Sequence, residues 1–257
     1  MPLLSAKCRL SNPPKLALSD DEVTEILHAS ENLAILVGGQ ALSLWATYYR
    51  VALPPFLTAN VTRDADFIAS VDAALAVKAG LTNKGWRFEQ VAPGALSPVT
   101  AQLTLQTESG VKEIDFLASI IGLHTDDVRR RAVKLTLPNG CVVTVLHPLD
   151  VLASRLHNLA EIPAKRNAKG VAQAQLSIGI TAGFLRDTGG RSERDFFNLI
   201  ERLKNIVTHD KIAPICRQFS LDVLSCVPLD SISNENFKAI RWPRIQHEVA
   251  SKTGGAA

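Results

Sequence analysis

Apolar residues along this chain change their period near residue 148, from short alternating or continuous runs to long stripes at helical spacing. Ser19 and Glu22 stand at capping-box spacing, Asp20 and Asp21 place negative charge in a first turn, and Val23, Ile26 and Leu27 form an apolar stripe. A helix therefore begins at Ser19. Leu33 to Val37 is a short, partly β-branched run closed by Gly38-Gly39 and reads as a buried strand. Ala41 to Tyr49 puts Leu42, Trp45, Ala46 and Tyr49 on one helical face. After a loop at Pro54-Pro55, residues 64–69 alternate as a strand and 71–83 read as a helix ending near Gly85. Strands follow at 86–91, 100–107 and 111–117, the last two joined at Ser109-Gly110. A short helix at 124–131 precedes a hairpin, 133–137 and 142–146, turning at Asn139-Gly140.

Beyond His147-Pro148 only helical stripes remain, near 149–160, 168–186, 192–208, 211–225 and 233–239, with breaks at Pro163, Gly189-Gly190 and Pro228. Residues 1–15 and 251–257 read as frayed ends. The pattern predicts an α/β (α+β) chain: a mixed sheet with flanking helices over 1–147, then a helical region over 148–257.

Composition narrows the class. With 257 residues, 46% hydrophobic and 21% charged, the chain can bury a large core without disulfides or metals, and it is neither disordered nor fibrous. No apolar run approaches the roughly 20 residues of a membrane helix. The opening residues lack the apolar stretch and cleavage site of a signal peptide, so a soluble, cytoplasmic protein with no membrane partner is expected. Cys8, Cys141, Cys216 and Cys226 are widely spaced and read as reduced thiols. Residues 1–147 hold 13 basic and 14 acidic residues, and residues 148–257 hold 15 and 11. The mildly basic second half permits a phosphate-rich partner.

The candidate chemistry lies in the first half. Asp64 and Asp66 are two apart in a predicted strand, so both leave the same face, and Asp115 is centred in another strand, Glu113-Ile-Asp-Phe-Leu117. Three carboxylates on one sheet repel unless a cation lies among them, and magnesium, a hard ion preferring oxygen ligands and phosphates, suits them. Pairing with Lys or Arg at strand ends is the alternative. Gly38-Gly39 ends a strand and opens a helix, where backbone N–H groups can approach phosphate oxygens; tight strand-to-helix packing would explain it equally.

Leu36-Val-Gly-Gly-Gln-Ala-Leu42, Thr62-Arg-Asp-Ala-Asp-Phe67 and Glu113-Ile-Asp-Phe-Leu117, in that order, resemble the signature of the nucleotidyltransferase superfamily of DNA polymerase beta. Within it the chain is most similar to bacterial minimal nucleotidyltransferases of the abortive-infection toxin type (type IV toxin–antitoxin systems), whose post-sheet helix the segment His147-Pro-Leu-Asp-Val-Leu-Ala-Ser-Arg-Leu-His-Asn-Leu159 resembles. The resemblance spans residues 30–170. It implies that Asp64, Asp66 and Asp115 bind magnesium, that Asp115 helps deprotonate the attacking hydroxyl, and that Gly38, Gly39 and the Gln40 backbone contact the phosphates of an NTP. Arg155 stands where toxin-type members carry a triphosphate-facing Lys, and a planar fork replaces a point charge there. Those members often carry a further Asp on the next helix; here that stretch is Lys165-Arg-Asn-Ala-Lys-Gly-Val-Ala-Gln173. Lys165, Arg166 and Lys169 could contact triphosphate or nucleic acid, or form a solvated basic turn.

Other side chains carry two readings each. Ser43 could reach phosphate or bond its own backbone. Trp45, Tyr48 and Tyr49 could stack on a base or pack in the core. Glu113 could join the metal ligands or an ion pair, and Arg63 could pair with a carboxylate or touch substrate. His147 and His157 could act as bases or serve structure, and Arg129-Arg-Arg131 could contact RNA or be a solvated helix end. The expected function is Mg-dependent transfer of an NMP from an NTP to an acceptor hydroxyl on RNA, tRNA or protein, toxin-like and with a possible cognate antitoxin. A small-molecule (antibiotic) nucleotidyltransferase and a non-catalytic nucleotide-binding or interaction module are the alternatives.

Overall fold

The computed structural model describes residues 13–53, 64–92 and 97–254. The described strands form one seven-stranded mixed sheet in the order β3-β4-β5-β2-β1-β7-β6. These are β1 (Ile35–Leu36), β2 (Ala65–Ile68), β3 (Arg87–Gln90), β4 (Val99–Thr107), β5 (Gly110–Leu117), β6 (Val133–Thr136) and β7 (Val142–Val145). Parallel pairing joins β2 to β5 and β1 to β7; β1–β2, β3–β4, β4–β5 and β6–β7 are antiparallel. The helices flanking it are α1 (Asp20–Ala29), α2 (Gly38–Tyr48), α3 (Val71–Gly80) and α4 (Thr125–Arg131). The helical region comprises α5 (Pro148–Glu161), α6 (Ala168–Gly189), α7 (Glu193–Val207), α8 (Ala213–Gln218) and α9 (Trp242–Thr253).

Local sequence explains most of these boundaries. The capping box at Ser19 forms in both directions, with Glu22 receiving the Ser19 N–H at 2.7 Å. The apolar stripe of α2 buries Leu42, Trp45 and Ala46, and the Trp45 indole donates to the Leu146 carbonyl at 2.7 Å, fastening α2 to the end of β7. Helix α5 begins at Pro148, which suits a first turn because its missing N–H has no partner to lose there.

Four expectations change. The strand expected at 33–37 is confined to Ile35–Leu36, because Gly38 already starts α2. The helix expected over 211–225 is two pieces, α8 and a 3-10 turn at Val223–Cys226, since Ser220 adopts a left-handed φ of 50°. The short helix expected at 233–239 is a π-turn, Phe237–Arg241, that runs directly into α9. Helix α9 occupies residues for which the sequence predicts no element and runs into the expected frayed end, with Pro243 in its first turn; only residues 255–257 of that end fall outside the described residues.

The buried apolar side chains fall into two clusters. One fills the space between the sheet, α1, α2 and part of α6; the other lies among α5 to α9. Helix α5 is the wall between them. Every residue from Pro148 to His157 is buried, with Val151 in the first cluster and Leu149, Leu152, Leu156 and Leu159 in the second. Asp150 is therefore fully buried, and it is held from both sides. Arg131 of α4 donates to it through two nitrogens at 3.1 and 3.0 Å, and Arg202 of α7 donates to the same carboxylate. His147 caps α5 by accepting the Leu149 N–H at 3.1 Å. Burial, with Arg202 and Arg131 nearby, pushes its pKa down to about 3.

Among the described residues no helix is long and apolar enough to cross a membrane. Cys141, Cys216 and Cys226 are free and buried; Cys8 lies outside the described residues.

Replacing Asp150 with Ala leaves two arginines facing an apolar interior. Chemical denaturation is expected to show a loss of about 3 kcal/mol or more, the range for breaking a buried charge network by removing one partner.

Candidate functional site

The site is built where β2 and β5 lie side by side. Their parallel register sets Asp66 opposite Asp115, and β4 sets Gln102 opposite Asp115 from the other side. Asp64 precedes β2 by one residue and, two positions from Asp66, leaves the same face. The structure thus brings together the three carboxylates that the sequence singles out. Two of them have a side-chain partner nearby. Gln102 donates to Asp115 at 2.7 Å, and Lys15 lies 3.9 Å from Asp64 and in direct contact with Glu113. As they stand, no group of three or more His, Cys, Asp or Glu side chains among the described residues is arranged to hold a metal ion.

The Gly38-Gly39 turn is tied to this edge by contact as well as by conformation. Gly38 has a φ of 63°, and a Cβ built on it would lie 1.9 Å from Asp66 Oδ2. Only glycine lets the start of α2 come this close to the carboxylate. The Val37 N–H donates to the Asp66 carbonyl at 2.9 Å, which continues the β1–β2 pairing to the turn. Gly38 therefore serves tight packing, the alternative raised from sequence, and Gly38 and Gly39 also present the helix N-terminus to the same cleft.

That cleft has a volume of ≈ 830 Å³. Its lining combines Asp64 and Asp66 with Arg155, Lys165 and Lys169, and includes Asn158 and Gln173. Arg155 leaves α5 and is only 9% exposed. Its guanidinium donates to the Gly38 carbonyl and lies 3.5 Å from Gln173 Oε1, while its Nε has no hydrogen-bond partner among the described residues. Lys165 ends a 3-10 turn, Pro163–Lys165, and Asn167 caps α6 by accepting the Gly170 N–H at 2.9 Å. Gly170 packs so closely that a Cβ there would lie 2.0 Å from the Lys165 carbonyl. Two helix N-termini, those of α2 and α6, thus open on one cleft, and α6 has no acidic residue in its first turn.

Charge shifts follow from this arrangement. Burial pushes the Asp66 pKa up to about 6, and repulsion from Asp115 and Asp64 adds to it against the pull of Arg155 and Lys165. Asp115 is also raised, by burial first, while Gln102 and Lys15 oppose the rise.

Several alternatives resolve. Ser43 donates to the Gly39 carbonyl at 3.0 Å, and with Gln40 it lines a separate, smaller cleft against α1; because α2 begins at Gly38, Ser43 is turned away from the carboxylate cleft. Trp45 and Tyr49 stack with centroids 5.6 Å apart beside the core, while Tyr48 is exposed. Arg166 donates to the Leu159 and Ala160 carbonyls at 2.8 and 2.6 Å, so it closes the C-terminus of α5 while Lys165 and Lys169 face the cleft. Arg129 and Arg130 pair with Asp126 and Asp127 on their own helix, but Arg131, half-buried, reaches inward to Asp150 as well as to Asp127. His157 is buried and hydrogen-bonded to Glu161 at 2.9 Å. Glu113 takes the ion-pair reading. Arg63 lies outside the described residues.

Sequence reasoning missed Gln102 and Lys15. Gln102 carries no motif and is found only through the β4–β5 register, and Lys15 falls in a segment read as frayed.

No protein-family model matches the chain, and no curated protein matches it in sequence.

Asp66 supplies a test independent of activity. Its folded pKa, about 6, exceeds the usual 3.8, so the charged form destabilises the fold above pH 6 and the penalty disappears as pH falls below 3.8. Asp66→Asn is expected to raise stability at pH 7.5 by about 1–2 kcal/mol, and the gain should vanish near pH 4 in denaturation curves.

Proposed function

We propose that this chain is a nucleotidyltransferase that moves an NMP from an NTP to an acceptor hydroxyl and releases pyrophosphate. The observation that carries this reading is a single cleft lined by Asp64 and Asp66, by buried Arg155 and by the N-terminal turns of α2 and α6. Such opposite charges suit a triphosphate accompanied by a divalent cation. The resemblance of the Gly38-Gly39, Asp64-Ala-Asp66 and Asp115 segments to the polymerase beta superfamily supports the same reading.

The donor set fits magnesium in chemistry. Asp64, Asp66 and Asp115 offer hard oxygens, and Asp66, raised by burial and by like charge, is a carboxylate that a cation would relieve. These three would hold the ion, which when bound would neutralise triphosphate charge and polarise the α-phosphorus. Arg155 and the N–H groups of Gly38 and Gly39 would bind the phosphates, and Lys165 and Lys169 would draw them toward the cleft mouth. In the transfer the acceptor oxygen bonds to the α-phosphorus as the bond to the β-phosphate oxygen breaks. The hydroxyl proton passes to Asp115, whose raised pKa makes it the better proton acceptor. The exposed lysines favour an RNA or tRNA acceptor over a small polyol, with protein as a further acceptor class. A cognate antitoxin belongs to the same toxin-like reading.

One observation favours a second reading. The carboxylates are occupied by Lys15 and Gln102, and no three metal-ready ligands stand together among the described residues. A module that binds nucleotide without turning it over would look the same.

One experiment separates them. With magnesium, each labelled NTP in turn and total bacterial RNA, the parent protein is expected to transfer label to RNA. Asp64→Ala/Asp66→Ala should lose at least about 100-fold in rate, and Arg155→Lys about tenfold, the loss expected for one charge-assisted hydrogen bond. Binding of NTP without transfer to RNA, protein or aminoglycoside would select the non-catalytic module.

A further inference from the structure

Lys15 is held where a flexible surface lysine would not stay. The segment around it pairs with β5: the Val111 N–H donates to the Pro14 carbonyl at 2.9 Å, the Leu16 N–H donates to the Val111 carbonyl at 2.8 Å, and Lys15 forms a parallel bridge with Val111. This backbone clamp delivers the ammonium group to the acidic edge, in contact with Glu113 and 3.9 Å from Asp64 Oδ2. Glu113 and Asp115 leave the same face of β5, so the ammonium stands beside the carboxylates assigned above to the metal. Its own pKa is raised, first by the Glu113 hydrogen bond and further by Asp64 and Asp115, so it remains charged at physiological pH.

We propose that Lys15 is a built-in counter-cation that competes with the divalent ion for the Asp64 side of the carboxylate edge and so sets the metal affinity of the site. This rests on the nucleotidyltransferase reading. An ammonium and a divalent cation cannot share the same carboxylate oxygens without repulsion, so metal binding must displace Lys15 or be weakened by it. The contact explains why three carboxylates assembled on adjacent strands do not form a ready coordination group here: one is drawn to Lys15 and one to Gln102. The N-terminal segment thereby becomes a control on the site, because whatever lifts it from β5 also removes the competing charge.

The test uses the full chain and Mn²⁺ alone, with free Mn²⁺ followed by electron paramagnetic resonance and no nucleotide present. Lys15→Met is expected to bind Mn²⁺ about fivefold more tightly than the parent, the scale of one partly screened charge at this range. Lys15→Arg should match the parent. Lys112 leaves the opposite face of the same strand, where it pairs with Glu22, so Lys112→Met changes net charge equally and should leave affinity unchanged. Lys15→Gln gives the same reading should the methionine variant fold poorly. Equal or weaker Mn²⁺ binding by both Lys15 variants would overturn the proposal while leaving the metal reading intact, as would the same tightening in Lys112→Met. Absence of Mn²⁺ binding in parent and variants alike would overturn the metal reading and the competition with it.

Discussion

The carboxylate of Asp150, fully buried and gripped by Arg131 and Arg202, is the interaction on which the rest of the molecule depends. A charge in that position is tolerable only while both arginines reach it, so the rotation of α5 about its axis is fixed by α4 on one side and α7 on the other. Fixing that rotation also fixes Arg155, five residues along the same helix, against the Gly38 carbonyl. A structural ion pair between the two apolar clusters thus determines which way a cleft-lining guanidinium points. His147 reinforces the arrangement as a neutral cap, its proton affinity suppressed first by burial and then by the same arginines.

The acidic and basic groups of the site have different origins. The acidic side is a consequence of strand register, since parallel pairing of β2 with β5 sets Asp115 beside Asp66, which with Asp64 lines the cleft. The basic side is assembled from a buried helix, a 3-10 turn and the first turn of α6. Mutual repulsion on the acidic side is only partly offset by Lys15 and Gln102, since the Asp66 pKa still rises to about 6.

Much of this was legible in the sequence where local chemistry decides the outcome. Period-2 runs located the strands, the Ser19–Glu22 spacing located α1, and the two-residue spacing of Asp64 and Asp66 put both on one face. Three kinds of feature were not legible. Helix α9 was missed because it continues without a break from a π-turn, Phe237–Arg241, a junction that carries no cap or stop signal in the sequence. Arg131 and Arg166 belong to basic runs that look solvated, and only tertiary contacts reveal that one enters the interior and the other closes a helix end. Lys15 and Gln102 gain their places through pairing with β5, a relation between segments that no short window of sequence contains.

The close contact of Gly170 with the Lys165 carbonyl has a consequence for the basic side of the cleft. With no side chain at that position, the turn bearing Lys165 packs directly on the first turn of α6. Any larger residue would act as a wedge between the two and shift Lys165, although Gly170 itself offers the cleft no side chain. The placement of that lysine is therefore encoded, in part, by an absent methyl group.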